Sequence, residues 1–201
     1  MAKHDKVDVG ISTLLNPVPV VMVSCAGKDS QRPNIMTAAW AGTVNSEPAM
    51  ISVSIRKSRY SHKLITESGE FVVNLVSKSL CKACDYCGVR SGADEDKFKT
   101  MGLTPVKAKD LEYAYAIKES PCSISCEVIS VTELGSHDMF IGKITGITAD
   151  SYLLDDNGRL CLDKANFVAY NHGEYFLLGD KIGFFGYSVA SPEVLTKRMG
   201  K

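Results

Sequence analysis

The 201-residue sequence is short of most features that mark the large specialised protein classes. No apolar run approaches the roughly 20 residues that a membrane-spanning helix needs. There is no surplus of one charge. Lys plus Arg number 23 and Asp plus Glu number 23, so there is no overall basic surface to attract nucleic acid or an anionic membrane. Repeats and low-complexity tracts are absent, and no Pro- or Gly-rich stretch reads as a linker, so residues 1–201 are expected to form one domain. There is no Gly-x-Gly-x-x-Gly after a strand and no steady alternation of strand and helix, which argues against a doubly wound nucleotide fold. The charged start, Met1 to Asp8, has no apolar core behind it, so no signal peptide is expected and a cytoplasmic location is.

What is present is cysteine, seven in all: Cys25, Cys81, Cys84, Cys87, Cys122, Cys126 and Cys161. An odd number in a chain of this size, without an export signal, points to reduced thiols rather than a disulfide framework. Cys81, Cys84 and Cys87 have the spacing of part of an iron–sulfur or zinc site. A fourth ligand at fixed spacing is missing. The plainer reading is a short helix over Ser79 to Cys87, with the three thiols on one side as small apolar groups and no metal.

Hydrophobic patterning predicts mainly strands. Val18 to Ser24, Asn34 to Trp40, Met50 to Ile55, Phe71 to Val76, Cys122 to Thr132 and Met139 to Ala149 are β-rich runs. Gly27 to Pro33 reads as a turn, Gly42 to Pro48 as a connection, and Leu134 to His137 as another turn. Tyr60 to Gly69 reads as a helix with Ser61 as N-cap and Gly69 as stop; Asp94 to Thr100 reads as a second, ended by Gly102. Short strands broken by single helices imply a closed or split β-barrel.

Two stretches carry candidate chemistry. Arg56, Lys57, Arg59 and Lys63 crowd four cations between a strand and a helix start, where free N–H groups also favour an anion, and Ser58 and Ser61 add hydroxyls. The competing reading is a solvated basic turn. Asn34 to Trp40 sets the only Trp of the chain beside small residues, which let a flat ligand approach the backbone; the competing reading is a core strand with a structural Trp.

Taken in order, Arg32-Pro-Asn-Ile-Met-Thr-Ala-Ala-Trp40, Glu47-Pro48 and Arg56-Lys-Ser-Arg-Tyr-Ser-His62 resemble the flavin reductase-like, FMN-binding split-barrel family, its flavoredoxin branch in particular. Phe71-Val-Val-Asn-Leu75, Ser91-Gly92 with Asp96-Lys97-Phe98, Gly135-Ser-His137-Asp-Met-Phe-Ile-Gly142 and Tyr170-Asn-His-Gly-Glu-Tyr175 continue the likeness, from about residue 16 to about residue 190. The resemblance implies a mainly β, Greek-key FMN-binding split barrel with short intervening helices, and a homodimer with one FMN per subunit. It implies NADH or NADPH as electron donor, or, in a flavoredoxin-like protein that holds FMN permanently, a redox partner protein. Residue by residue it places Asn34 and Trp40 at the isoalloxazine, with Met36, Thr37 and Ala38 touching the ring by backbone and Ser54 lining the same pocket. Arg56, Arg59, Ser61 and His62 fall near the ribityl phosphate, with Lys97 reaching it. His137 approaches the flavin or the nicotinamide, and Tyr170 and Tyr175 shape the pocket. Chemistry of this kind needs no nucleophilic triad, and none is evident.

Overall fold

The computed structural model describes residues 4–29 and 32–200. In chain order the elements are β1 (Val18–Pro19), β2 (Val21–Cys25), β3 (Asn34–Ala38), β4 (Ala41–Ser46), β5 (Ala49–Arg56), α1 (Tyr60–Ser68), β6 (Glu70–Leu75), α2 (Cys81–Val89) and α3 (Lys97–Met101). Then come β7 (Pro105–Lys107), β8 (Tyr115–Ile117), β9 (Cys122–Glu133), β10 (His137–Ala149), β11 (Val168–Asn171), β12 (Glu174–Leu177) and α4 (Pro192–Met199). The turn expected over Gly27 to Pro33 includes residues 30 and 31, which lie outside the described residues.

Seven strands form one antiparallel sheet in the order β3-β2-β6-β9-β10-β5-β4. The outermost strands, β3 and β4, are consecutive in the chain. Only Ala39 and Trp40 separate them, which brings the two ends of the sheet together; the Ser54 N–H donates to the Trp40 carbonyl at 2.9 Å, one step beyond the Ala41↔Val53 pair of β4 and β5. The result is the mainly β split barrel that the family resemblance implies, one of the two barrel forms that the strand pattern leaves open. Two smaller sheets, β1-β11-β12 and β7-β8, flank it.

The barrel interior is apolar: Val21, Val23, Met36, Val53, Ile55, Phe71 and Phe140 pack together, and α1 adds Leu64 and Ile65. Gly142 permits this packing, because a Cβ there would lie 2.5 Å from Phe71 Cζ. Met22 and Ile35 face the other way, onto Cys84 and Cys87 of α2 and Phe98 of α3. Covered on both sides, β2 is buried along its whole length and apolar except for Ser24, rather than alternating.

Two buried polar groups tie the layers. Asn74, fully buried, donates to the Met22 carbonyl at 2.9 Å and to Ser24 Oγ at 2.8 Å. Its Oδ1 accepts from the Ile117 N–H at 3.0 Å and from Ser123 Oγ at 2.8 Å. Glu70 accepts three successive backbone N–H groups, of Glu112, Tyr113 and Ala114, at 2.7 to 2.9 Å.

The structure corrects several local expectations. The connection expected over Gly42 to Pro48 is largely a strand, β4, paired to β5 from Ala41↔Val53 to Ser46↔Ala49. It lies at the sheet edge and is half-exposed or exposed throughout, so no alternation marks it. Ser61 is not an N-cap. That position belongs to Arg59, without a side-chain capping bond, and Ser61 sits inside the helix, 1% exposed. Gly69 and Gly102 do end their helices, at φ 73° and 64°, the left-handed backbone that glycine adopts without strain.

Candidate functional site

The turn between β5 and α1 carries its cations to the mouth of the barrel. There a cavity of about 250 Å³ is lined by Arg56, Arg59, Arg90 and Lys97, by Ser58, Ser61 and Ser91, and by Asn34, Met36 and Gly92 among others. The donor set is uniformly cationic or hydroxylic, with no carboxylate in the lining. Ser61 Oγ accepts from Asn34 Nδ2 at 2.7 Å, which leaves its own O–H to donate. Gly92 has to be glycine, because a Cβ there would fall 1.8 Å from Asn34 Oδ1.

Lys97 is the telling residue. It is 3% exposed, yet its Nζ meets only two carbonyls, of Cys87 and Arg90, both at 3.1 Å. Among the described residues it has no carboxylate within ion-pair distance. Burial pulls its ammonium below the ordinary lysine range, and the neighbouring Arg59 charge adds to this, against the opposing pull of the Cys87 thiol. A buried cation without a counter-charge is costly, and an anion in the adjoining cavity is what offsets it.

A second cavity, of about 170 Å³, adjoins the first and shares Met36, Arg56 and Arg59 with it. Its walls are Met36 to Trp40, Ser54, His137 and Tyr170. It lies along β3, an edge strand hydrogen-bonded on one side only, so part of the backbone there is left to pair with the polar rim of a flat ligand. The Thr37 side chain is not available, because its hydroxyl donates to the Cys84 carbonyl. The two cavities together reach the lower end of the range for small-molecule sites, about 300–1,000 Å³. A larger one, about 500 Å³, lies beyond Trp40 and Ser54 and is lined by Leu14, Leu15, Val18 and Gly42 among others, without a cation.

His137 stands in register with Arg56 across the β10–β5 pair. Burial and the Arg56 charge hold its imidazole below the usual histidine range, so it is neutral at pH 7, with Nδ1 2.9 Å from Ser136 Oγ.

Three of the residues expected around the flavin lie outside the second cavity. Asn34 lines the cationic one. His62 lines neither, and its Nε2–H donates to Asp138 Oδ2 at 2.8 Å. Tyr175 also lines neither; it packs edge-on against Tyr170, ring centroids 5.8 Å apart, and its OH donates to Asp85 at 3.1 Å. The cationic cavity adds Arg90 and Gly92, which no local pattern marks as ligand-facing; a glycine and a cation in one short loop are the only trace.

An edge strand beside one cavity, with a cation-lined cavity adjoining it, suits a ligand with an anionic group. The chain belongs to the flavin reductase like domain family, which matches residues 14–174. It is a flavin-related electron-transfer protein. It is similar to flavoredoxin of Desulfovibrio vulgaris (Miyazaki F), 36% identical, with a TM-score of 0.85 over 92% of this chain and 99% of that one. An uncharacterised protein of Archaeoglobus fulgidus is 38% identical over 118 residues, 59% of this chain, and the match spans 66% of that protein. The fold is shared with a split barrel domain protein from Shewanella frigidimarina, 22% identical, with a TM-score of 0.75 over 85% of this chain and 86% of that one.

The cysteines are free thiols. Cys84 and Cys87 are fully buried against Met22 and Ile35, as the helix reading predicts, and burial pushes their thiols up to about 12 and about 11. Replacing Cys81, Cys84 and Cys87 by Ala is expected to leave flavin content unchanged while lowering the melting temperature, since each buried thiol removed leaves a small void. Absorbance of the purified variant and its thermal melt check both halves.

Proposed function

We propose that the two joined cavities hold FMN and that the protein is an NAD(P)H-dependent flavin reductase. The observation that carries the first part is the buried Lys97 ammonium, with no carboxylate within ion-pair distance among the described residues, in a cavity shared with Arg56 and Arg59. FMN brings close to two negative charges on its phosphate. Arg59 and Arg56 are placed to grip that phosphate, Lys97 to supply a point charge behind it, and the Ser61 hydroxyl to donate. The backbone of Met36, Thr37 and Ala38 pairs with the ring, and Trp40, Ser54 and Tyr170 wall it. Bound FMN would supply two-electron chemistry, with NADH or NADPH as the hydride donor. The chain's part is to orient the ring, to exclude water with Trp40 and Tyr170, and to offer the neutral His137 imidazole at the open face.

The likeness to flavoredoxin supports a second reading, in which FMN stays bound and a protein partner delivers the electrons. Steady-state oxidation of NADH or NADPH with free FMN as acceptor separates the two. Turnover supports the reductase, and none, with FMN retained, supports the carrier.

Arg59→Ala is expected to weaken FMN by about 1.5–3 kcal/mol, roughly ten- to a hundredfold, and to leave riboflavin, which has no phosphate, almost unaffected. Titration of both flavins against both proteins reads the difference, and equal losses would place the phosphate elsewhere. The same reading includes a homodimer, supported by the exposed apolar groups of the C-terminal stretch, Phe176, Ile182 and Phe185. Light scattering at micromolar concentration should return twice the 21.8 kDa chain mass.

A further inference from the structure

The turn that faces the cationic cavity is held from behind. Ser58, Arg59, Tyr60 and Ser61 line the cavity, and Lys57 and His62 bracket them in sequence. Both brackets reach one carboxylate. His62 Nε2–H donates to Asp138 Oδ2 at 2.8 Å, and Lys57 Nζ lies 3.5 Å from Asp138 Oδ1. Asp138 is 5% exposed, and its Oδ1 has no hydrogen-bond partner among the described residues.

The pleat of β10 explains why this carboxylate is there. Successive residues of a strand point to opposite faces, so His137 lines the second cavity while Asp138 faces His62 of α1. Phe140, on the same face as Asp138, meets the His62 ring edge-on, centroids 5.2 Å apart. Glu133, at the end of β9, holds Lys57 from the solvent side at 2.7 Å. Burial works to raise the Asp138 carboxyl, but the His62 hydrogen bond and the Lys57 charge outweigh it and hold the carboxyl below the usual range. It is therefore ionised whenever the protein is at neutral pH, and its pull on both ends of the turn is permanent.

We infer that Asp138 is a positioning residue: through His62 and Lys57 it sets the curvature of the turn and so aims Arg59 and Ser61 into the cavity. This rests on the reading of that cavity as the phosphate site. A carboxylate held by one imidazole hydrogen bond and one half-exposed lysine adds little net stability. What this one does is clamp a segment whose own helix start has no side-chain cap. The side chains that point at the anion are carried by a backbone pinned at two points to a sheet strand, and that strand also presents a residue to the ring.

The test is titration of the full chain and its variants with FMN and with riboflavin. His62→Ala and Asp138→Asn are expected to weaken FMN about tenfold, with riboflavin changed by less than about twofold. His62→Gln keeps an N–H donor for Asp138 and should restore most of the FMN affinity. Lys57→Gln alters a half-exposed side chain that the fold does not depend on, and should lower FMN affinity by a smaller factor in the same direction. Unchanged FMN preference in all four variants overturns the inference. So do equal losses for both flavins with a fall in melting temperature, which is the signature of a merely structural bridge. A wild-type chain that binds both flavins equally overturns the phosphate reading itself, and this inference with it.

Discussion

Lys97→Met is expected to cut FMN affinity by about 2–5 kcal/mol, roughly thirtyfold to a few thousandfold, the largest loss of any single substitution around the cavity. Met keeps the length and the packing and removes only the charge and its N–H groups. The loss exceeds that of Arg59→Ala because Lys97 is buried, where a charge pair is less screened by water. Riboflavin should bind the variant and the wild type alike. The pH dependence follows from the same burial. With the ammonium below the ordinary lysine range, near 10.4, the flavin-free protein loses this charge earlier than an exposed lysine would as pH rises. A phosphate favours the charged form, so FMN binding takes up a proton on the alkaline side. Wild-type FMN affinity should fall there, and the fall should be missing in Lys97→Met. Fluorescence titration across the alkaline range measures it; parallel curves for the two proteins would remove Lys97 from the site.

Asn74→Leu should produce the largest loss of stability, about 2–6 kcal/mol. The substitution is close in size but removes the acceptor of the Ile117 N–H and the Ser123 hydroxyl, and the donor to Met22 and Ser24. At least two buried donors are left unpaired, each at about 1–3 kcal/mol. For a chain of this length that is roughly a 5–20 °C fall in melting temperature. Scanning calorimetry reads it directly. A change within a degree or two would mean that the network re-forms around leucine or that water fills it.

How much of this is legible in the sequence depends on whether the determining partner is near or far along the chain. The long strands are legible because β-branched and apolar residues crowd them, and the helix stops because Gly69 and Gly102 need left-handed backbone. The cation-rich turn is legible as a cluster because its members are neighbours. β4 is not, because an edge strand exposed on both faces has no pattern beyond its pairing to β5. Ser61 reads as a cap because a serine near a helix start looks like one; in the fold its oxygen accepts from Asn34, 27 residues away. His62 reads as one more member of the basic turn until Asp138, 76 residues on, turns it away from the cavity. Tyr175 is likewise drawn off by Asp85.

The Glu70 carboxylate has a consequence for how the molecule breathes. Three successive amides, of Glu112, Tyr113 and Ala114, share this one acceptor group, so none of them is shielded by a ladder partner of its own for that bond. When the carboxylate swings away, all three lose their acceptor at once. In deuterium oxide they should trade their hydrogens as a single correlated event, on a timescale set by one side-chain excursion and the lifting of the Ala108 to Ala114 segment. The amides of β6 and β9 beneath should wait for the barrel itself to open. Exchange of these three amides ahead of those of β6 and β9 would mean that the Glu70 carboxylate, with Leu111 packed on Val72, is what fastens this segment to the barrel.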